Sequence, residues 1–384
     1  MTMNNKATYD HMQLLRDSTQ STPFLHLDLS RVRENVQTVR EAFKLLNPRI
    51  HYACKANGDP GLLAALYRDG CAFDVASEKE MQWLEEAGIP LTNAIFSSTI
   101  KIPSHIARAH ASGINTFAVD NPAELAKLSV LAPRSNIVVR LDVPHKGSRW
   151  PLSGKFGVPP LEAIELLRQA RELGLLPYGV TFHVGSQCER TESWYDALEV
   201  CGKVWRYARD AGIELSFVNL GGGLPATYKQ EVPSIAAIGN AVLSTAPQIF
   251  GPRVQYAIEP GRFIVADAGT LVTTVIGKAV RNGTPWVFVD LSIYAGLLEV
   301  IGGWTYPIVT ARDGQPTQLT TLAGPTCDST DIISHEVDLP EMEVGDRILL
   351  LSAGAYTKAY RAYNGFDFPD VILTGQEADL QEAA

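Results

Sequence analysis

Eight short runs rich in β-branched or aromatic residues recur at even spacing between about residues 25 and 260. They are IHYAC (50–54), AFDV (72–75), AIFS (94–97), TFAV (116–119), IVVRL (137–141), YGVTF (178–182), LSFVN (215–219) and VQYAI (254–258). Amphipathic segments such as PGLLAALYRDG, EKEMQWLEEAG, NPAELAKLSVLA and LEAIELLRQARELG separate them, and several end in Gly, which suits a left-handed helix C-cap. Alternating strands and helices imply a parallel sheet. Eight such units match a (β/α)8 barrel, typically about 250 residues long. The alternative, an open doubly wound sheet, lacks its opening GxGxxG signature here.

Beyond Gly261 the texture changes. TLVTTVIGKAV, PWVFVDLSI, PTQLTTLAG and DRILLLSAG are strand-like and punctuated by turn residues. The expected organisation is an α/β barrel over 31–262 and an all-β domain over 263–384, with a strand at about 22–30 joining the second domain. Such a chain of 384 residues buries a large core without metal or disulfide staples. Its five cysteines are irregularly spaced and form no CxxC, so neither a zinc site nor a disulfide framework is expected, and a reducing cytoplasm is. A net charge of -9 without a basic block points away from nucleic acid and anionic membranes. The polar N-terminus does not read as a signal peptide, and no apolar run is long enough to span a bilayer.

Barrel chemistry sits past the C-terminal ends of the strands. There the sequence places Lys55, Asp74, Arg140, His183 with Ser186, the run Gly221-Gly222-Gly223, and finally Glu259, Gly261 and Arg262. Each has a bland reading as a surface lysine, a packed histidine, a satisfied core acid or a plain turn. Together they make one reactive face. A lysine held against apolar walls loses proton affinity and becomes a usable amine. Bare glycine N–H groups after the seventh strand suit a phosphate. The later segment adds GPTCDSTD (324–331) and GAYTKAYRAYNGF, with Tyr356, Tyr360 and Tyr363.

The motifs YACKAN, FDVAS, WPLSGKFG, FHVGSQ, NLGGGLP, EPGRF, GPTCDSTD and GAYT…YNGF occur in this order. On them the chain resembles the ornithine/diaminopimelate/arginine decarboxylase family of fold-type III pyridoxal-phosphate (PLP) enzymes. GPTCDSTD and WPLSGKFG are similar to the bacterial ornithine/lysine branch. The resemblance implies an alanine-racemase-like fold, a PLP-dependent carboxy-lyase and a place in polyamine biosynthesis. It implies that Lys55 holds PLP as a Schiff base, His183 stacks on the ring and Glu259 meets the ring nitrogen. Asp74, Arg140, Ser186, Gly222, Gly223, Gly261, Arg262 and Tyr356 would surround the ring and phosphate. Cys327 would return a proton after CO2 leaves, and Asp328 would meet the substrate's distal amine. Both would reach into the partner's site of a head-to-tail homodimer.

One departure bears on the substrate. The family's ornithine decarboxylases carry a second acid in the loop that here reads VIGGWTYPI (300–308), where Gly302, Gly303 and Trp304 stand instead. A basic amino acid remains the first expectation, with Trp304 counted as a substrate contact and Glu299 as a possible substitute acid. A different, pathway-specific amino acid is the alternative. An amino-acid racemase, an inactive regulatory homologue and a phosphate-binding barrel without PLP are the remaining readings.

Overall fold

The computed structural model describes residues 11–17, 19–152, 154–358 and 367–375. The chain divides into two compact units, one formed by 35–225 with 232–263 and the other by 1–34, 226–231 and 264–384. In chain order the strands are β1 (Phe24–Asp28), β2 (Arg49–Ala53), β3 (Ala72–Val75), β4 (Ala94–Phe96), β5 (Thr116–Val119), β6 (Asn136–Arg140), β7 (Ser148–Trp150), β8 (Leu176–Thr181), β9 (Ser186–Cys188), β10 (Phe217–Asn219) and β11 (Gln255–Ile258). There follow β12 (Gly269–Arg281), β13 (Thr284–Val289), β14 (Ile308–Thr310), β15 (Thr317–Ala323), β16 (Ile332–Pro340), β17 (Arg347–Leu350) and β18 (Asp370–Thr374).

In the first unit, β10, β11, β2, β3, β4, β5, β6 and β8 pair in parallel and close into a barrel, which excludes the open doubly wound sheet. Strands β3 and β5 are buried at every position, as expected where a parallel sheet is covered on both faces. The helices are set by local chemistry. Asp59 precedes the helix Pro60–Arg68, accepts from Gly61 N at 2.9 Å and is followed by proline at the first helical position. Asn121 accepts from Glu124 N at 3.0 Å to start Pro122–Leu131. The helices before Gly70 and Gly88 end at those residues in the left-handed region, at φ +77 and +72. The first barrel strand stops at Ala53, one residue earlier than its apolar run, and Cys54–Ala56 turn into a 3-10 helix. Lys55 therefore sits on a helical turn rather than on the strand.

The second unit is built on one sheet with the order β14-β17-β12-β13-β15-β16. Strand β12 holds it together. Its first half pairs with β17, and its second half pairs with β13 after a bulge between Val275 and Gly277. On β12's other side lies β1, antiparallel to β12 and parallel to β18. The segment 324–331 links β15 to β16. The buried carboxylate of Asp331 accepts from Ile293 N at 2.9 Å and from Thr326 N at 3.1 Å. A Cβ at Gly324 would lie 2.4 Å from that carboxylate, so only glycine lets the acid in.

Asp331→Ala leaves two backbone N–H groups without their charged acceptor. It is expected to cost about 2–4 kcal/mol of stability in urea denaturation, with Asp331→Asn in between. An unchanged midpoint would contradict this tether.

Candidate active site

The C-terminal ends of the barrel strands gather the predicted residues of the first unit. Lys55 Nζ donates to Asp74 Oδ2 at 2.8 Å; the lysine side chain is 47% exposed, whereas Asp74 is 1% exposed. Asp74 Oδ1 is buried and has no hydrogen-bond partner among the described residues. Glu259, also buried, accepts from Asn219 Nδ2 at 2.6 Å and from the Ser97 hydroxyl. Burial, reinforced by the charge of Asp74, raises Glu259 to about 7 against the pull of Lys55. A third buried acid, Glu80, is also raised to about 7, chiefly by burial and with Asp74 again contributing. Three carboxylates thus face one lysine amine, and the Asp74 charge adds to burial in favouring a proton on Glu80 and Glu259.

The cations are arranged around this group. Arg140 at the end of β6 lies with its guanidinium 5.0 Å from the Phe156 ring centroid. Burial lowers its proton affinity, while Glu259, Asp120 and Asp74 restore some of it. His183 is held well below the ordinary histidine value, first by burial and then by the charges of Arg140, Lys55 and His145. Gly185 N donates to His183 Nδ1 at 2.9 Å, so the neutral ring carries its hydrogen on Nε2.

Beside His183 the backbone is bare. A Cβ on Gly222 would lie 2.7 Å from Glu259 O and 3.0 Å from His183 Nε2. Gly223 has a φ of +107, and its Cβ would lie 2.5 Å from Gly185 O. Ser186, in the short β7–β9 ladder, accepts from Arg262 Nε at 3.3 Å. Ser186 at the start of β9, Gly222 and Gly223 after β10, and Gly261 and Arg262 after β11 make an arrangement suited to an anion.

Cys327, Asp328, Trp304 and Tyr356 belong to the sheet unit. Cys327 is exposed and not disulfide-bonded. Asp328 Oδ2 accepts from Tyr294 Oη at 3.1 Å, and its Oδ1 accepts from Thr330 N at 2.9 Å. Trp304 is 4% exposed and meets Tyr228 edge-on at 5.1 Å between centroids. Tyr356 is half-buried in the left-handed region at φ +61. Tyr360, Tyr363, the YNGF run and Ser153 of WPLSGKFG lie outside the described residues.

Sequence reasoning missed Glu80, Ser97, Asn219 and Tyr294. Glu80 carried a legible signal. Ser77-x-x-Glu80 is a capping box, with Ser77 Oγ accepting from Glu80 N at 3.3 Å. Its carboxylate reaches back to Ala76 N at 2.8 Å, which holds it inside the barrel mouth. Ser97 closed a strand run outside every motif, and Asn219 opened NLGGGLP, where the glycines rather than the asparagine drew the functional reading.

A family model described as pyridoxal-dependent decarboxylase, pyridoxal binding domain, matches residues 29–266. The lysine/ornithine decarboxylase of Selenomonas ruminantium is 33% identical over 355 residues, 92% of this chain and 89% of that protein. A solved SrLDC variant in complex with PLP superposes with a TM-score of 0.90 at 31% identity, covering 95% of both chains. The lysine/ornithine decarboxylase of Vibrio vulnificus complexed with putrescine gives a TM-score of 0.86 at 31% identity, over 92% of this chain and 94% of that one.

Glu80 yields a pH prediction. Its folded value of about 7 lies above the ordinary 4.5, so folding favours its protonated form. That contribution is complete at low pH and is lost as pH rises through about 7. Glu80→Gln should therefore gain melting temperature relative to the parent as pH rises from about 5 to about 8. A difference that stays constant over this range would contradict the buried, uplifted acid.

Proposed function

Because the chain belongs to the pyridoxal-dependent decarboxylase family, we propose that it decarboxylates a basic amino acid, ornithine or lysine first. It is a PLP-dependent amino-acid decarboxylase of fold type III, releasing CO2 and an amine. The observation that carries the assignment is the Lys55 amine held 2.8 Å from buried Asp74, with a second buried acid, Glu259, at the same barrel mouth.

The residues fit the cofactor. The buried Asp74 Oδ1 lacks a partner among the described residues, and the glycine cradle has no room for a side chain. Lys55 would hold PLP covalently through its amine. Glu259 would face the ring nitrogen and His183 the ring, with Asp74 and Arg140 around it. Ser186, Gly222, Gly223, Gly261, Arg262 and Tyr356 would hold the phosphate. When bound, PLP supplies an electron-accepting ring for the pair released as CO2 leaves. Glu259 keeps a proton on the ring nitrogen. Asp74 neutralises the Lys55 ammonium and orients it. A neutral His183 adds no charge to compete with that sink. Cys327 Sγ delivers a proton to the carbon that lost CO2. Asp328, oriented by Tyr294, receives the distal ammonium.

The active form on this reading is a head-to-tail homodimer, with Cys327 and Asp328 completing the partner's site. The compartment is the cytoplasm. The cysteines among the described residues are all free, and no described helix is long and apolar enough to cross a membrane.

A second reading concerns substrate choice. Trp304 is buried against Tyr228, and Gly302 and Gly303 offer no charge where the resemblance to ornithine decarboxylases implies an acid. With one carboxylate for the distal ammonium, a different side chain gains ground. A panel of ornithine, lysine, arginine, meso-diaminopimelate and neutral amino acids, with amines read by mass spectrometry, separates the two. Turnover of ornithine or lysine above the others supports the first reading. Gly302→Asp should then raise kcat/KM for ornithine about tenfold, since 1.4 kcal/mol of added pairing is one decade. Turnover confined to another amino acid would overturn it.

A further inference from the structure

Glu259 is held by one oxygen. Both of its hydrogen bonds to the barrel, from the Ser97 hydroxyl and from Asn219 Nδ2, end on Oε1. The Asn219 amide cannot turn over, because its Oδ1 already accepts from Gly221 N at 3.0 Å. Glu259 N donates to Gly221 O at 2.8 Å and fixes the acid's backbone to the same turn. With two donors on Oε1, any proton that Glu259 carries resides on Oε2.

Ser97 reaches Glu259 across the barrel mouth. It follows β4, which is separated from β11 by β2 and β3. The turn that presents it is anchored by a buried cation. Lys101 Nζ donates to Ser98 O at 2.9 Å, Thr99 O at 3.2 Å and Ala118 O at 2.6 Å, with its side chain 0% exposed. A serine held this firmly at hydrogen-bonding distance from a buried acid is a built contact.

We propose that Ser97 is a positioning residue which, through Glu259 Oε1, keeps the proton shared between Oε2 and the cofactor ring on the ring nitrogen. The inference rests on the assignment of Glu259 to that nitrogen. Donors to a carboxylate stabilise its charged form and lower its proton affinity. Burial and Asp74 act in the opposite direction on Glu259, and Lys55 acts in the same direction as Ser97. Arg140 also faces the acid, while His183 is neutral and adds no charge. Removing Ser97 therefore shifts the balance toward proton affinity on Glu259 and withdraws the proton from the ring.

The test uses holoenzyme carrying PLP labelled with 15N in the ring, whose resonance reports protonation without any substrate. Ser97→Ala is expected to move that resonance toward unprotonated pyridine, and Ser97→Thr, which retains the hydroxyl, to restore it. With substrate, Ser97→Ala should lower kcat about tenfold at little change in KM and raise the acid limb of the pH profile by about one unit. Should Ser97→Ala fail to fold or load, Ser97→Cys, a weaker donor, must show the same displacement in smaller degree. A resonance that responds to Glu259→Gln but not to loss of the hydroxyl overturns the role of Ser97 alone. One that does not respond to Glu259→Gln removes the assignment of Glu259 and this proposal with it.

Discussion

The barrel closes through very few contacts. Strands β11 and β2 share the pairs Ala257↔Arg49 and Ile258↔Ile50, and Ala53 N then donates to Pro260 O at 3.1 Å. This seam brings the end of the eighth barrel strand beside the end of the first. It sets Glu259 and Lys55 at one mouth although 204 positions separate them along the chain. It also shuts the sheet, so no strand edge remains open in the barrel. The acids at its mouth are buried because the ring is complete. An unclosed sheet would leave them solvated, with ordinary carboxylate chemistry.

Burial sets up a balance of charge at that mouth. Asp74, Glu80 and Glu259 compete for the stabilising influence of Lys55, and Arg140 supplies a second cation. Histidine at 183 is driven neutral first by burial and then by the same cations. The elements behind these groups are short and polar at their ends. A capping box delivers Glu80, a 3-10 turn delivers Lys55, and an asparagine locked on the glycine run delivers one donor to Glu259. Rigid backbone chemistry, rather than loop length, locates the charges.

Much of this was legible in the sequence. All eight barrel strands lie where the β-branched runs placed them, because a parallel strand buried on both faces has no other composition available. The ends of six of them moved by one or two residues, where hydrogen bonding and not hydropathy decides. Strand β7 and strand β9 were invisible, since three-residue polar ladders have no period. Strongly reactive types stood out by chemistry and by place. Ser97 and Asn219 did not, because a serine or asparagine closing a strand looks the same whether it faces a buried acid or water. Trp304 was read as a substrate contact from its position in the chain, while its packing on Tyr228 depends on the residue 228 segment folding beside it, which no local pattern announces.

The position of β1 has a consequence for how the protein is made. This strand lies between β12 and β18, and His26 Nε2 meets Thr374 Oγ1 at 3.1 Å across 348 positions. As the chain leaves the ribosome at roughly 5–20 residues per second, β1 waits on the order of tens of seconds for its last neighbour. Until β12 is made, a strand buried at four of five positions in the finished sheet has both edges open, and one edge stays open until β18 follows. The barrel segment is translated in the meantime and can fold on its own local pairings. Birth order therefore favours a barrel that forms first and a sheet sealed last.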